Sequence, residues 1–262
     1  MDVPSELVSF WNAFDPHAGE LRVHPEDRAW MERHWPAPLQ EPFLDWSTYL
    51  RSLRFGRRDS EPHLSHLPAP YWGDLERADV LICLKNPGFD NTDYYLEAQP
   101  DFQKAQMQTV RQQLAGEPFP FVHLQPRFSW SGSFQWWESK FRPIVEALQD
   151  DGLTYRDALG LLARKVAALQ LVPYRSLDSS RLRWRVRGSV LPSTAAAQRH
   201  LCAATHSRRQ LVLVMRSHAD WHTAPCAEPH PFYLHGPRLQ GVSLHPRFPA
   251  GKALLQRLRR AM

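Results

Sequence analysis

Three polar residues stand at or near the ends of apolar runs, and each carries a side chain that chemistry can use. Asn86 follows Val80-Leu81-Ile82-Cys83-Leu84-Lys85 and opens an Asn-Pro-Gly turn. Gln170 lies in Ala168-Leu169-Gln170-Leu171-Val172, which stops at Pro173-Tyr174-Arg175-Ser176. His245 follows the run 239–244 and precedes Pro246. A carboxamide donates and accepts hydrogen bonds at once, and an imidazole can donate from a ring nitrogen. Val80 to Leu84 is too apolar to face water on either side, so it reads as a buried strand. Open α/β sheets place ligands outside the carboxyl ends of such strands. The Asn86-Pro87-Gly88 turn, with Phe89, Asp90, Asp93, Tyr94 and Tyr95 behind it, is therefore where a ligand is expected.

The elements that must position these residues alternate between strand and helix. Helical patterns run over 101–114, 138–148, 155–166 and from about 193 to 204, where Ser193 or Thr194 can cap. Apolar strand runs fall at 80–84, 168–172, 210–215 and 239–244, and 251–260 reads as an amphipathic basic helix that includes Lys252. This order predicts an α/β fold of three αβα layers around a mainly parallel central sheet. Residues 1–74 are different in character: Pro-punctuated, aromatic-rich helical pieces at 5–14, 26–35 and 42–55, with no chemical constellation. They are expected to be a helical N-terminal extension, its acidic residues in solvent, packed on a domain spanning 75–262.

Charge is segregated along the chain. Residues 1–155 hold 14 Lys/Arg against 23 Asp/Glu, whereas residues 156–262 hold 18 against 4. A carboxyl-terminal part that basic implies a polyanion partner, most simply nucleic acid. Arg181, Arg183, Arg185 and Arg187 alternate with Leu182, Trp184 and Val186, a strand spacing that puts the guanidinium groups on one face. Such a face either is simply solvated or tracks phosphates. No apolar run approaches the roughly 18 residues of a membrane span, and the amino terminus has no signal-peptide pattern. Three widely spaced cysteines, Cys83, Cys202 and Cys226, are expected to be reduced thiols in a cytoplasmic, monomeric protein. His218 and His222 have metal-ligand spacing without a third ligand, so no metal site is expected.

The set and order Asn86-Pro87-Gly88, Gln170-Leu171-Val172-Pro173 and His245-Pro246 resemble the uracil-DNA glycosylase superfamily over roughly residues 75–260. The turn is most like that of its single-strand-selective branch, with Asn-Pro-Gly where classical members carry Asp-Pro-Tyr. The resemblance implies a monofunctional DNA glycosylase that flips a pyrimidine out of the stack and hydrolyses its N-glycosidic bond with water and no cofactor. It makes Asn86 the residue that orients the water and His245 the donor to the base O2. Gln170 stands where the family holds a base-reading Asn, and Phe128 resembles the Phe that stacks on the flipped base. Arg247 and Phe248 correspond to the loop that probes the duplex and fills the gap. Arg175 and the ribbon 181–187 are expected to contact DNA.

Departures from the family bear on the substrate. A Gln amide sits differently from an Asn amide and can read uracil or cytosine according to its orientation. Gly88 lacks the side chain that, in classical members, blocks a substituent at C5. Phe89, Asp90 and Tyr94 can line the space so left, which favours a 5-substituted pyrimidine such as glucosylated hydroxymethylcytosine in viral DNA. Plain uracil or damaged-pyrimidine repair, a catalytically silent DNA-binding module, and an unrelated nucleotide hydrolase or transferase stay open as alternatives. The last is disfavoured by the lack of a Gly-rich phosphate loop and of Gly-x-Ser-x-Gly.

Overall fold

A strand with no face fit for water needs cover on both sides, and the fold supplies it. A computed structural model of the protein describes residues 5–35, 43, 45–53, 55, 62–179, 182–222, 232–233 and 244–262. Its helices are α1 (Glu6–Asn12), α2 (Pro25–His34), α3 (Trp46–Leu50), α4 (Thr92–Glu97), α5 (Pro100–Val110), α6 (Gly132–Asp150), α7 (Tyr155–Lys165), α8 (Pro192–Ser207), α9 (His218–His222) and α10 (Pro249–Arg259). Its strands are β1 (Tyr71–Trp72), β2 (Val80–Leu84), β3 (Val166–Gln170), β4 (Arg185–Val186), β5 (Ser189–Val190), β6 (Leu211–Val214) and β7 (Phe232–Tyr233).

The main sheet has the order β1-β3-β2-β6-β7, with β2 at its centre. β2 runs parallel to β3 and β6, and β6 parallel to β7; only β1, at the edge, is antiparallel. Period-2 alternation divides β2 between two cores. Val80, Ile82 and Leu84 pack with Phe102 of α5, Phe141 of α6, Leu162 of α7 and Leu254 of α10. Leu81 and Cys83 point the other way, into Trp11 of α1, Trp30 of α2 and Leu201 of α8. Helices thus cover both faces of a mixed, mostly parallel sheet.

Helices α1 and α2 belong to the second of these cores, α1 resting on α8, while Tyr49 of α3 packs with Phe89 and Tyr94. The expectation that the acidic residues there face solvent fails at Asp27. This carboxylate is buried, accepting the Tyr174 hydroxyl at Oδ2 (2.6 Å) and the Ser193 N–H at Oδ1 (2.9 Å). It also corrects the cap of α8. The cap position is Leu191, which makes no side-chain cap hydrogen bond, and the helix opens on Pro192; neither Ser193 nor Thr194 caps it, and a carboxylate from α2 accepts the Ser193 N–H in its first turn. The Thr194 hydroxyl instead donates to the Leu171 carbonyl (2.7 Å).

Other boundaries shift for local reasons. α6 starts at Gly132, six residues before the expected Glu138, because Ser131 caps it by accepting the Phe134 N–H. α7 runs directly into β3, so that strand begins at Val166 rather than Ala168. Helix 42–55 is reduced, among the described residues, to α3. The expected strand 239–244 lies outside the described residues except for Leu244, and β7 was not anticipated. Cys202 is disulfide-bonded, against the expectation of reduced thiols, while Cys83 is free and buried.

Candidate functional site

Register brings the strand ends together. Leu84 is the partner of Gln170, and Cys83 the partner of Val214, so β2, β3 and β6 finish side by side. Above their carboxyl ends lies a cavity of about 260 Å³. Its floor is Trp72, Leu84 and Gln170; the first turns of α6 (Gly132, Ser133, Trp136, Trp137) form one wall. The loop from Lys85 to Asp90, the segment from Arg175 to Ser179, and Arg216 complete it.

Asn86 is held at one end of its amide. Its Nδ2 donates to the Pro87 carbonyl (2.8 Å), the Ser176 hydroxyl (3.0 Å) and the Tyr174 carbonyl (3.3 Å). With every contact made by the nitrogen, Oδ1 is left as an acceptor with no partner among the described residues. Gln170 is the reverse case. It is buried at 1% exposure, and neither its Oε1 nor its Nε2 has a hydrogen-bond partner among the described residues. A buried amide left unsatisfied costs about 1–3 kcal/mol per group. A ligand edge with a donor beside an acceptor would remove that cost.

Gly88 lines the cavity between these two amides. Its φ lies outside the left-handed region, and a Cβ built on it would meet nothing within 4 Å. The missing side chain is therefore space rather than relief of strain. Phe89 also lines the wall and stacks on His63 (ring centroids 3.9 Å apart). Asp90 lines it too, but its Oδ1 is taken up by the Thr92 N–H and hydroxyl.

A buried charge network underlies this wall. Arg175 donates to the Gly88 carbonyl and to Asp93 Oδ2, both at 3.2 Å, and its Nε stands 3.5 Å from Glu97. Glu97 also meets His66 (3.2 Å) and accepts the Leu67 N–H (2.9 Å). Burial pushes the Asp93 carboxyl up from its ordinary range, with Arg175 and His66 opposing. Burial acts on Glu97 in the same sense, but His66 and Arg175 outweigh it and hold that carboxyl below its usual value. The Ser133 hydroxyl donates to Asp93 Oδ1 (3.2 Å), so the network reaches the α6 wall.

Several expected site residues lie elsewhere. Arg175 lines the cavity but is 2% exposed and paired with two carboxylates, which corrects its assignment as a DNA contact. Phe128 is a core residue, edge-on to Phe102 and absent from the cavity wall, which corrects its assignment as a base-stacking ring. Tyr94 packs among Tyr49, Phe89 and His66 behind the wall instead of facing the cavity. His245 is exposed and does not line the cavity. Its Nδ1 accepts the Arg247 N–H (3.1 Å), so the neutral ring carries its proton on Nε2.

Arg247 is exposed with its guanidinium over the Phe248 ring (4.8 Å), and Lys252 is exposed on α10. Of the ribbon, Arg181 lies outside the described residues. Arg183 and Arg185 are exposed while Leu182 and Trp184 are buried, as alternation requires. The strand ends sooner than expected, because Arg187 and Gly188 both take positive φ in the turn between β4 and β5. Arg187 is therefore a turn-tip residue outside the row.

The site also includes residues the sequence reading missed. Trp72, Ser133, Trp136, Ser176 and Arg216 line the cavity, with Lys85, whose ammonium is 3.6 Å from Asp220. The available signal was position: Arg216 ends an apolar run, as Asn86 does. Among the described residues no group of three or more His, Cys, Asp or Glu is placed to hold a metal ion. No described helix is long and apolar enough to cross a membrane. No family model matches the chain, and the searches of curated proteins and of solved structures give no match.

Proposed function

We propose that the protein is a monofunctional DNA glycosylase whose cavity receives a pyrimidine turned out of the stack. The observation that carries this reading is Gln170, a buried amide with both polar atoms unsatisfied in the floor of a cavity at the strand ends. Both uracil and cytosine present a donor next to an acceptor on the pairing edge, so either satisfies the amide after it rotates. No described residue locks Gln170 in one orientation.

Breaking the glycosidic bond puts positive charge on the sugar and negative charge on the base. Asn86 Oδ1, its amide held by three acceptors for Nδ2, can accept a hydrogen bond from a water at the sugar face. A preorganised group of this kind needs no reorganisation at the moment of reaction. His245 supplies the donor to O2 from Nε2, meeting the base in the DNA complex, where catalytic hydrogen bonds often tighten. Phe248 beside Arg247 serves as the wedge that fills the gap, flipping itself costing a few kcal/mol. The room beside Gly88 favours a pyrimidine substituted at C5, as in viral DNA carrying modified cytosines, and hence an antiviral role.

Mass spectrometry of bases released from uracil-containing, unmodified and modified-cytosine DNA tests this. Release of a 5-substituted pyrimidine with alkali-labile abasic sites is expected. Release of uracil alone would reduce the reading to repair, and no release from any DNA would leave a binding module.

A further inference from the structure

Among the described residues three cations stand in the cavity wall, and one of them is left without a carboxylate. Arg175 is paired with Asp93 and Glu97, and Lys85 with Asp220. Arg216, exposed at the end of β6, makes no ion pair among the described residues. A second cation, Lys140, stands over Trp136, which lines the same cavity as Arg216. Ser133, Trp136 and Lys140 follow one another at helical spacing along α6, which places them on one stripe. Ser133 and Trp136 line the cavity, and Lys140 Nζ lies 5.5 Å from the centroid of the Trp136 ring. Lys140 likewise makes no ion pair among the described residues. Glu138 is paired with Arg142 at 2.6 Å and Asp220 with Lys85, while Asp90, the carboxylate in the cavity wall, accepts the Thr92 N–H and hydroxyl.

Two like charges held near one another with no counter-ion repel, and a bound anion removes that penalty. Burial, and then the charge of Arg216, lower the affinity of Lys140 for its proton. We propose that Arg216 and Lys140, flanking Trp136, form an anion subsite at the cavity that holds a phosphodiester of the strand whose base the cavity receives. The identity of the anion rests on the nucleic-acid reading above; the existence of the subsite does not. The pairing is selective by construction, because Arg175 and Lys85 in the same wall are already neutralised.

The chain has five lysines, few enough for their Cε resonances to be followed separately by lysine-labelled NMR. Inorganic phosphate, and separately a short single-stranded oligonucleotide, should shift Lys140 saturably and raise its titration midpoint, with smaller effects on the other four. Arg216→Gln should raise the Lys140 midpoint without any anion and abolish both responses. Arg216→Gln with Lys140→Gln should reduce the salt dependence of oligonucleotide binding by about one phosphate contact. A Lys140 resonance indifferent to Arg216→Gln, or phosphate shifts equal across all five lysines, overturns the subsite. A response to phosphate but not to oligonucleotide overturns its assignment to nucleic acid. The subsite and the glycosylase reading fail separately: Gln170→Met should keep the phosphate response while losing base release.

Discussion

Asn86 Nδ2 and the Ser176 hydroxyl stand 3.0 Å apart and join the segments that follow β2 and β3 at the cavity wall. The backbones meet at the same place, where Gly88 bridges Ser176. The orientation of the one amide proposed to hold water is therefore shared between the adjacent Pro87 carbonyl and two acceptors about ninety positions away, Tyr174 and Ser176. Ser176→Ala removes an acceptor and should slow single-turnover base release by about tenfold, a loss of about 1.4 kcal/mol. Asn86→Ala should slow it about 100- to 1000-fold. Both variants should keep a cooperative unfolding transition, and an Asn86→Ala protein of undiminished rate would remove Asn86 from the mechanism.

Gln170 should trade stability against function. Gln170→Met keeps the length of the side chain and removes two buried unsatisfied atoms, so the free protein should be about 1–3 kcal/mol more stable. Base release should fall at least 100-fold at the same time. Denaturant unfolding and release assays on one preparation check both; a destabilised variant would mean that the amide has partners in the free protein.

Gly88 separates room from backbone strain. Because its φ is ordinary and a Cβ meets nothing, Gly88→Ala should change stability by less than about 0.5 kcal/mol. Gly88→Tyr should still fold but fill the cavity, cutting release of 5-substituted pyrimidines more than release of uracil. Equal losses for both bases would dissociate Gly88 from selectivity.

Asp27 makes stability depend on pH with a definite sign. Burial raises its carboxyl from the ordinary range to about 6, against hydrogen bonds from Ser193 and Tyr174 that favour the charged form. A folded value above the unfolded one means that the native state holds the proton more tightly. The contribution is full below about 3.8 and is lost as pH rises through 6, amounting to about 3 kcal/mol in order of magnitude. Asp27→Asn should flatten that component of the unfolding free energy between pH 4 and pH 8. A wild-type profile without such a component would show that the carboxyl is not desolvated.

The sequence carried the parts of the fold that repeat along the chain. Unbroken apolar runs mark β2 and β6, and the order of strands and helices requires a mostly parallel sheet covered on both faces. The edge strand β1 was illegible because two residues have no period. The start of α6 was obscured by the aromatic stretch before it, although Ser131 is an ordinary cap. Arg183 and Arg185 are exposed where alternation predicted, yet Arg187 is not in their row, because the chain turns there with positive φ.

Asn86, Gly88 and Gln170 were legible as residues at strand ends, since ligands gather where buried strands stop. Sequence by itself also determined which groups are amides, which are cations, and where a side chain is missing. Only the tertiary structure decided what each group has left to offer. Arg175 and Arg216 are the same residue type beyond the ends of the two strands that flank β2, but Asp93 and Glu97 neutralise the first while no described carboxylate reaches the second. Asn86 and Gln170 are both amides, but three acceptors hold the first and no described residue holds the second. Apart from the Pro87 carbonyl beside Asn86, those differences come from partners distant in sequence, and long-range pairing of charge and hydrogen bonds leaves no local pattern to read.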